Sequence, residues 1–121
     1  MPVVHVRALP PDGGPVQVDD CLRRIAQEVA AVLDADPHGT WCTFTGLDRM
    51  SLGTEVVTGA GQIVFVDVWI RSRDPGLDGR VLTAACAAAA GALGVPIEDV
   101  WGTLHTVEPG AVFAGGGLVE E

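Results

Sequence analysis

Ile63-Val64-Phe65-Val66-Asp67-Val68-Trp69-Ile70 is a run of β-branched and aromatic residues that reads as a strand. Arg71-Ser72-Arg73 follows it. Next comes Asp74-Pro75, a helix cap with proline at the first helical position, and an alanine-rich helix from Leu77 to about Leu93 that Gly94 ends. Val100 to Val107 then forms a further strand. Strand, helix and strand in this order make a crossover unit, whose two strands run parallel and whose helix lies across one face.

The same order stands sixty residues earlier in the chain. Val3-Val4-His5-Val6 is a short strand, stopped by the turn cluster Pro10-Pro11-Asp12-Gly13-Gly14. Asp19 reads as the N-cap of an amphipathic helix that carries Leu22, Ile25, Ala26, Val29, Val32 and Leu33 on one face and ends before Pro37. Trp41-Cys42-Thr43-Phe44-Thr45 is the next strand. Shifted by sixty, Val4 meets Val64, Val6 meets Val66, Pro15 meets Pro75, Leu33 meets Leu93, Trp41 meets Trp101 and Thr43 meets Thr103, with no gap.

The chain is therefore expected to be one α+β domain, 1–121, built from two β-α-β units. Residues 1–60 hold the first unit and an irregular stretch from Leu47 to Gly61, with a small hairpin around Ser51-Leu52-Gly53. Residues 61–107 hold the second unit, and 108–121 form a flexible or hairpin tail. Four strands make a mixed sheet with both helices on one side. A small chain with one naked sheet face usually buries it against copies of itself, so a homo-oligomer is expected.

Composition narrows the functions. The 121 residues carry a net charge of −9, and no basic stripe offsets it, which argues against a nucleic-acid partner. All seven cations are arginine (Arg7, Arg23, Arg24, Arg49, Arg71, Arg73 and Arg80), so a lysine Schiff base and the usual anchor of pyridoxal phosphate are excluded. Cys21, Cys42 and Cys86 lack C-x-x-C spacing and sit in apolar stretches, as buried reduced thiols do. His5, His38 and His105 are scattered singly, so no metal and no cofactor is expected. No secretory signal opens the chain, and the apolar run from Ala84 to Val95 is too short to span a bilayer, which leads to the expectation of a cytoplasmic protein without a membrane partner.

Three features suggest chemistry. Met1-Pro2 stands directly before a strand, and removal of Met1, as happens before small residues, would leave a secondary amine with an ordinary pKa near roughly 8. Desolvation or arginine charge would lower that value toward neutrality, where a general base works. Arg71 and Arg73 are two apart, so on a strand they share a face, and two guanidinium groups side by side suit a shared carboxylate. Ion pairs with Asp74 and Asp78 are the simpler alternative. The tail sets Phe113 ahead of the Gly115-Gly116-Gly117 run, which lets backbone fold closely over a site or a neighbouring subunit.

Together these residues resemble the tautomerase superfamily, whose members use an amino-terminal proline and are built from β-α-β units, one per short chain as in 4-oxalocrotonate tautomerase or two in long members that are homotrimers, such as macrophage migration inhibitory factor, malonate semialdehyde decarboxylase and cis-3-chloroacrylic acid dehalogenase. The resemblance implies a homotrimer in which Pro2 and Arg73 are catalytic. Arg71, Trp101, Thr103 and Phe113 would bind a small carboxylate substrate, and Trp41 would extend the apolar wall. Trp101 stands where 4-oxalocrotonate tautomerase has a second arginine, Thr103 stands where the dehalogenase has a tyrosine, and Val29-Ala30-Ala31-Val32 lacks that enzyme's helix histidine, which argues against dehalogenation. Asp36 is the nearest candidate for the aspartate of the decarboxylase. The implied activity is tautomerisation of a small 2-oxo or enol carboxylic acid. The alternatives are decarboxylation of a 3-oxo acid or hydration of an unsaturated acid, and a non-catalytic trimeric binding protein if Met1 is retained.

Overall fold

The two strands that the repeat aligns lie side by side at the centre of the sheet. A computed structural model describes residues 2–71 and 74–120. Strands β1 (Val3–Ala8), β2 (Trp41–Gly46), β5 (Val64–Ile70) and β6 (Val100–Thr106) form one sheet in the order β2-β1-β5-β6. The pairs β1/β2 and β5/β6 are parallel, as crossover units require, and β1/β5 is antiparallel. Val6 faces Val66 across that central pair, so the two units are related by a local twofold through residues that the sixty-residue shift equates.

Helices α1 (Gly14–Leu33) and α2 (Pro75–Leu93) cover one face. Val4, Val6, Val66 and Val68 are fully buried under them with Ile25, Val29 and Val81. Each such side chain contributes about 1.5–3 kcal/mol by leaving water. The alanines of α2 (Ala85, Ala88, Ala89 and Ala92) keep its buried side thin, so it lies close to its neighbours. Gln17 Nε2 joins the two helices by donating to the carbonyl of Ala92 at 3.1 Å.

Asp74 caps α2 as expected, its side chain accepting from the Gly76 N–H at 3.0 Å, and Gly94 closes the helix in the left-handed region at φ 69°. In α1 the expected cap is corrected. The helix begins at Gly14, before Asp19, because Pro15 presets the first turn and Gln17 takes up the Gly13 N–H at 2.8 Å. Asp19 lies exposed within the helix. The irregular stretch contains the hairpin β3 (Met50–Leu52) and β4 (Glu55–Val57), turned at Gly53 with φ 63°. The tail forms a second hairpin, β7 (Val112–Ala114) and β8 (Gly117–Val119).

Gly102 is required by packing. A Cβ there would sit 2.5 Å from Cys86 Sγ and 3.2 Å from Leu82 Cδ1, both on α2. Gly102→Ala is therefore expected to cost about 1–3 kcal/mol in chemical denaturation, as overpacking does. Adding Cys86→Ala should return much of that loss.

The other sheet face carries no helix. All three tryptophans point from it, with Trp41, Trp69 and Trp101 exposed by 52%, 46% and 64%. Among them runs a polar ladder. His5 bonds Thr43 and lies 3.2 Å from the Thr45 hydroxyl, Arg7 pairs with Asp67 at 3.4 Å, and Thr103 donates to Asp67. The Thr103 proton is thereby committed, so His105 Nε2, 3.2 Å away, is the donor in its bond to Thr103 Oγ1. His105 also stacks on Trp69 with centroids 4.1 Å apart. Among the described residues, no helix is long and apolar enough to cross a membrane.

Candidate active site

Pro2 is buried where β1 begins, and its carbonyl accepts from the Trp41 N–H at 3.1 Å, which fixes the start of β2 beside it. It lines a cavity of about 360 Å³. Three charged residues share that cavity: Arg71, Asp36 and Asp78. Thr40 adds a hydroxyl, and Leu33, Ile70 and Leu77 supply apolar wall.

Each element delivers its residue for a local reason. Arg71 follows β5, whose end is held in register when Ile70 O accepts from the Val107 N–H at 3.0 Å. Asp36 lies in the turn after α1. Asp34 closes that helix in the left-handed region, at φ 50° and ψ 51°, and the chain then enters a short turn at Pro37–Gly39, where Asp36 accepts from the His38 N–H at 2.9 Å. Asp78 stands in the first turn of α2, and its N–H donates to Asp74 O at 2.9 Å. Arg73, the other arginine that the resemblance marks as catalytic, lies outside the described residues, as do Met1 and Ser72.

Arg71 also belongs to a second, larger cleft of about 660 Å³. Its walls are Val3, Trp41, Trp69, Val112 and Phe113, so the tail hairpin closes one side of it. Arg71 is thus common to the cavity that contains Pro2 and the apolar cleft that contains Phe113. A carboxylate held there can present its neighbouring carbons to either side.

Trp101 and Thr103 line neither space. β5 runs antiparallel to β1 and β6 runs with β5, so Trp101 pairs with Phe65 at the end of the sheet away from Pro2, and Thr103 sits mid-sheet, bonded to Asp67. Within one chain, then, the structure brings together Pro2 and Arg71, and separately Arg71, Trp41 and Phe113. Nothing in the sequence singles out Thr40 or Trp69, and Asp78 reads there only as an ion-pair partner for the arginines. A usable signal existed for Asp78: it falls three and seven residues before Val81 and Ala85, on the buried stripe of its helix.

The thiols offer no nucleophile at neutral pH. Burial pushes Cys21 up from 9.0 to about 11, with the nearby Cys42 charge adding to the effect and Arg24 opposing it. Burial also raises Cys42 to about 11, and Cys86 upward. The folded chain holds these protons more tightly than the unfolded one, so this contribution to stability is complete below pH 9 and is lost as pH rises toward about 11. The sequence has no tyrosine and no lysine, so little else titrates in that window. Melting temperature is expected to decline between those two values, and the double variant Cys21→Ala/Cys42→Ala should flatten the decline.

Solved structures share this architecture. Fused 4-OT, solved as a symmetric trimer, superposes with a TM-score of 0.80 at 17% identity over 98% of this chain and 95% of its own. Macrophage migration inhibitory factor from Toxoplasma gondii gives a TM-score of 0.71 at 18% identity over 96% and 98%. A member of the cis-3-chloroacrylic acid dehalogenase family gives 0.69 at 20% over 98% and 84%. No protein-family model and no curated protein matches the chain in sequence. The fold of this chain is therefore that of fused 4-OT and of macrophage migration inhibitory factor.

Proposed function

We propose that the processed chain, beginning at Pro2, is a cofactor-independent tautomerase acting on a small 2-oxo or enol carboxylic acid. The observation that carries the reading is the burial of Pro2 in a cavity that also presents Arg71. Neutral Pro2 nitrogen takes a proton from the enol oxygen or from carbon and returns one to a second carbon. Arg71 grips the carboxylate and stabilises the dienolate that develops, and Arg73, which follows it in sequence, joins in that role. Phe113 and Trp41 form the apolar side that limits solvation of the reacting acid.

A second reading is favoured by one specific observation, the two carboxylates Asp36 and Asp78 in the same cavity as Pro2. Negative charge favours a cationic amine, and a cationic Pro2 polarises a carbonyl for decarboxylation of a 3-oxo acid or for hydration of an unsaturated one. Nitrogen NMR of the amine at neutral pH separates the two, since the tautomerase needs the neutral form.

The working unit is proposed to be a homotrimer, with the helix-free face turned toward its copies. Support comes from the exposed tryptophans, from Phe113 and Leu118, exposed by 71% and 59% on the tail hairpin, and from the trimeric state of fused 4-OT. Trp101 can reach a Pro2 cavity only across such a subunit boundary. Intact mass of the native protein tests the enzymatic reading: a chain that lacks Met1 and ketonises phenylenolpyruvate supports it, whereas a retained Met1 turns the amine into an amide and leaves a binding protein.

A further inference from the structure

Among the described residues only two polar side chains are buried, Thr40 and Asp78, and both line the Pro2 cavity. Asp78 is the more telling, at 3% exposure. It is not the cap of α2, because Asp74 has that role. It shares the buried stripe of the helix with Val81 and Ala85, where an apolar residue would fill the space at no electrostatic cost. Placing a carboxylate at such a position is unfavourable unless positive charge and hydrogen-bond donors compensate it. The chain engages Asp78 internally, and the wall it belongs to also holds Pro2.

We infer that Asp78 is a positioning residue that sets the protonation of the Pro2 amine by stabilising its cationic form across the shared cavity. The inference rests on the proline-based reading above. Among the described residues that line the cavity with Pro2, four carry a charge or a hydroxyl. Arg71, after β5, disfavours the cation, and Thr40 is neutral. Asp36, after α1, favours the cation, but it is exposed and screened by solvent. Asp78, on α2, favours the cation from a position shielded from water, where a charge acts through a lower effective dielectric. Asp78 is therefore the group that offsets both the desolvation of the amine and the field of Arg71. It moves the point at which Pro2 becomes a free base, and with it the balance between proton abstraction and proton donation.

The test is the ascending limb of kcat/KM against pH for phenylenolpyruvate ketonisation, together with nitrogen NMR titration of the Pro2 amine, in wild type, Asp78→Asn and Asp78→Glu. An opposite charge a few ångströms away shifts a pKa by about 1–3 units. Loss of Asp78 charge is expected to move the limb and the amine titration to lower pH together by about 1 unit, so that below the limb the variant turns over roughly tenfold faster than wild type. Asp78→Glu should stay near wild type. A purely structural role would lower activity at every pH without moving the limb. Should Asp78→Asn not fold by circular dichroism, Asp78→Ser takes its place with the same expectation. An unmoved limb and amine in a folded variant, with activity still dependent on Pro2, would overturn the inference and leave the proposed function standing. Retained Met1, or full activity in Pro2→Ala, would overturn both by removing the amine from the chemistry.

Discussion

Pro2→Ala is expected to slow ketonisation of phenylenolpyruvate by roughly 10²-fold, and a chain that keeps Met1 should lose the whole of the roughly 10²–10⁴-fold that a positioned general base contributes. The two variants differ in what they remove. Alanine is small, so Met1 is still cleaved and an amine remains at the same place, but it is a primary amine on a freely rotating residue, without the ring that fixes the lone pair. Pro2→Leu blocks removal of Met1, so the amine moves one residue outward and position 2 becomes an amide. Pro2 lies outside the valine and alanine core, so melting temperatures should change little in either case. A graded loss, with wild type fastest, Pro2→Ala slower and Pro2→Leu near background, supports the assignment. Equal rates in wild type and Pro2→Ala would remove Pro2 from the mechanism and leave the cavity to a binding role.

The fold was readable because its two halves repeat. The residues that a sixty-residue shift equates, Val6 and Val66, pair directly across the centre of the sheet, and the helices that follow them end at Leu33 and Leu93. Local chemistry was less transparent where two signals competed. Asp19 has the side chain of an N-cap, yet Pro15 and Gln17 start α1 earlier, since satisfying the first free N–H groups matters more than one favourable residue type. The site was half readable. Alternation puts Trp101 and Thr103 on one face of their strand, but it says nothing about which end of the sheet each occupies. Strand direction decides that: β1 begins where β5 ends, and β6 runs with β5, so the start of β6 lies at the same end of the sheet as the end of β1. The burial of Asp78 is hidden in the sequence for a related reason. As part of a charged segment after the arginines it reads as a surface ion-pair partner, and only its phase relative to Val81 and Ala85 shows that it is buried.

Arg71→Ala should lower kcat/KM for a 2-oxo or enol acid by about 10- to 150-fold, which corresponds to the loss of one hydrogen bond to a charged group at about 1.5–3 kcal/mol. Arg71 is the side chain common to the Pro2 cavity and the cleft of Trp41, Trp69 and Phe113, so it is placed to fix a carboxylate between the reacting end and the apolar end of a substrate. The division of the loss between constants reports its role. Grip on the carboxylate alone is the same in the ground state and the transition state, and would appear in KM; stabilisation of a developing dienolate would appear in kcat. Arg71→Lys keeps the charge but gives up the planar fork, so it should recover only part of the loss if the contact is bidentate. The substrate's methyl ester provides the control, because an ester has no anion for the guanidinium to hold. Wild type and Arg71→Ala should therefore turn over the ester at similar, low rates, and a large difference on the ester would mean that Arg71 shapes the cavity instead of binding the carboxylate.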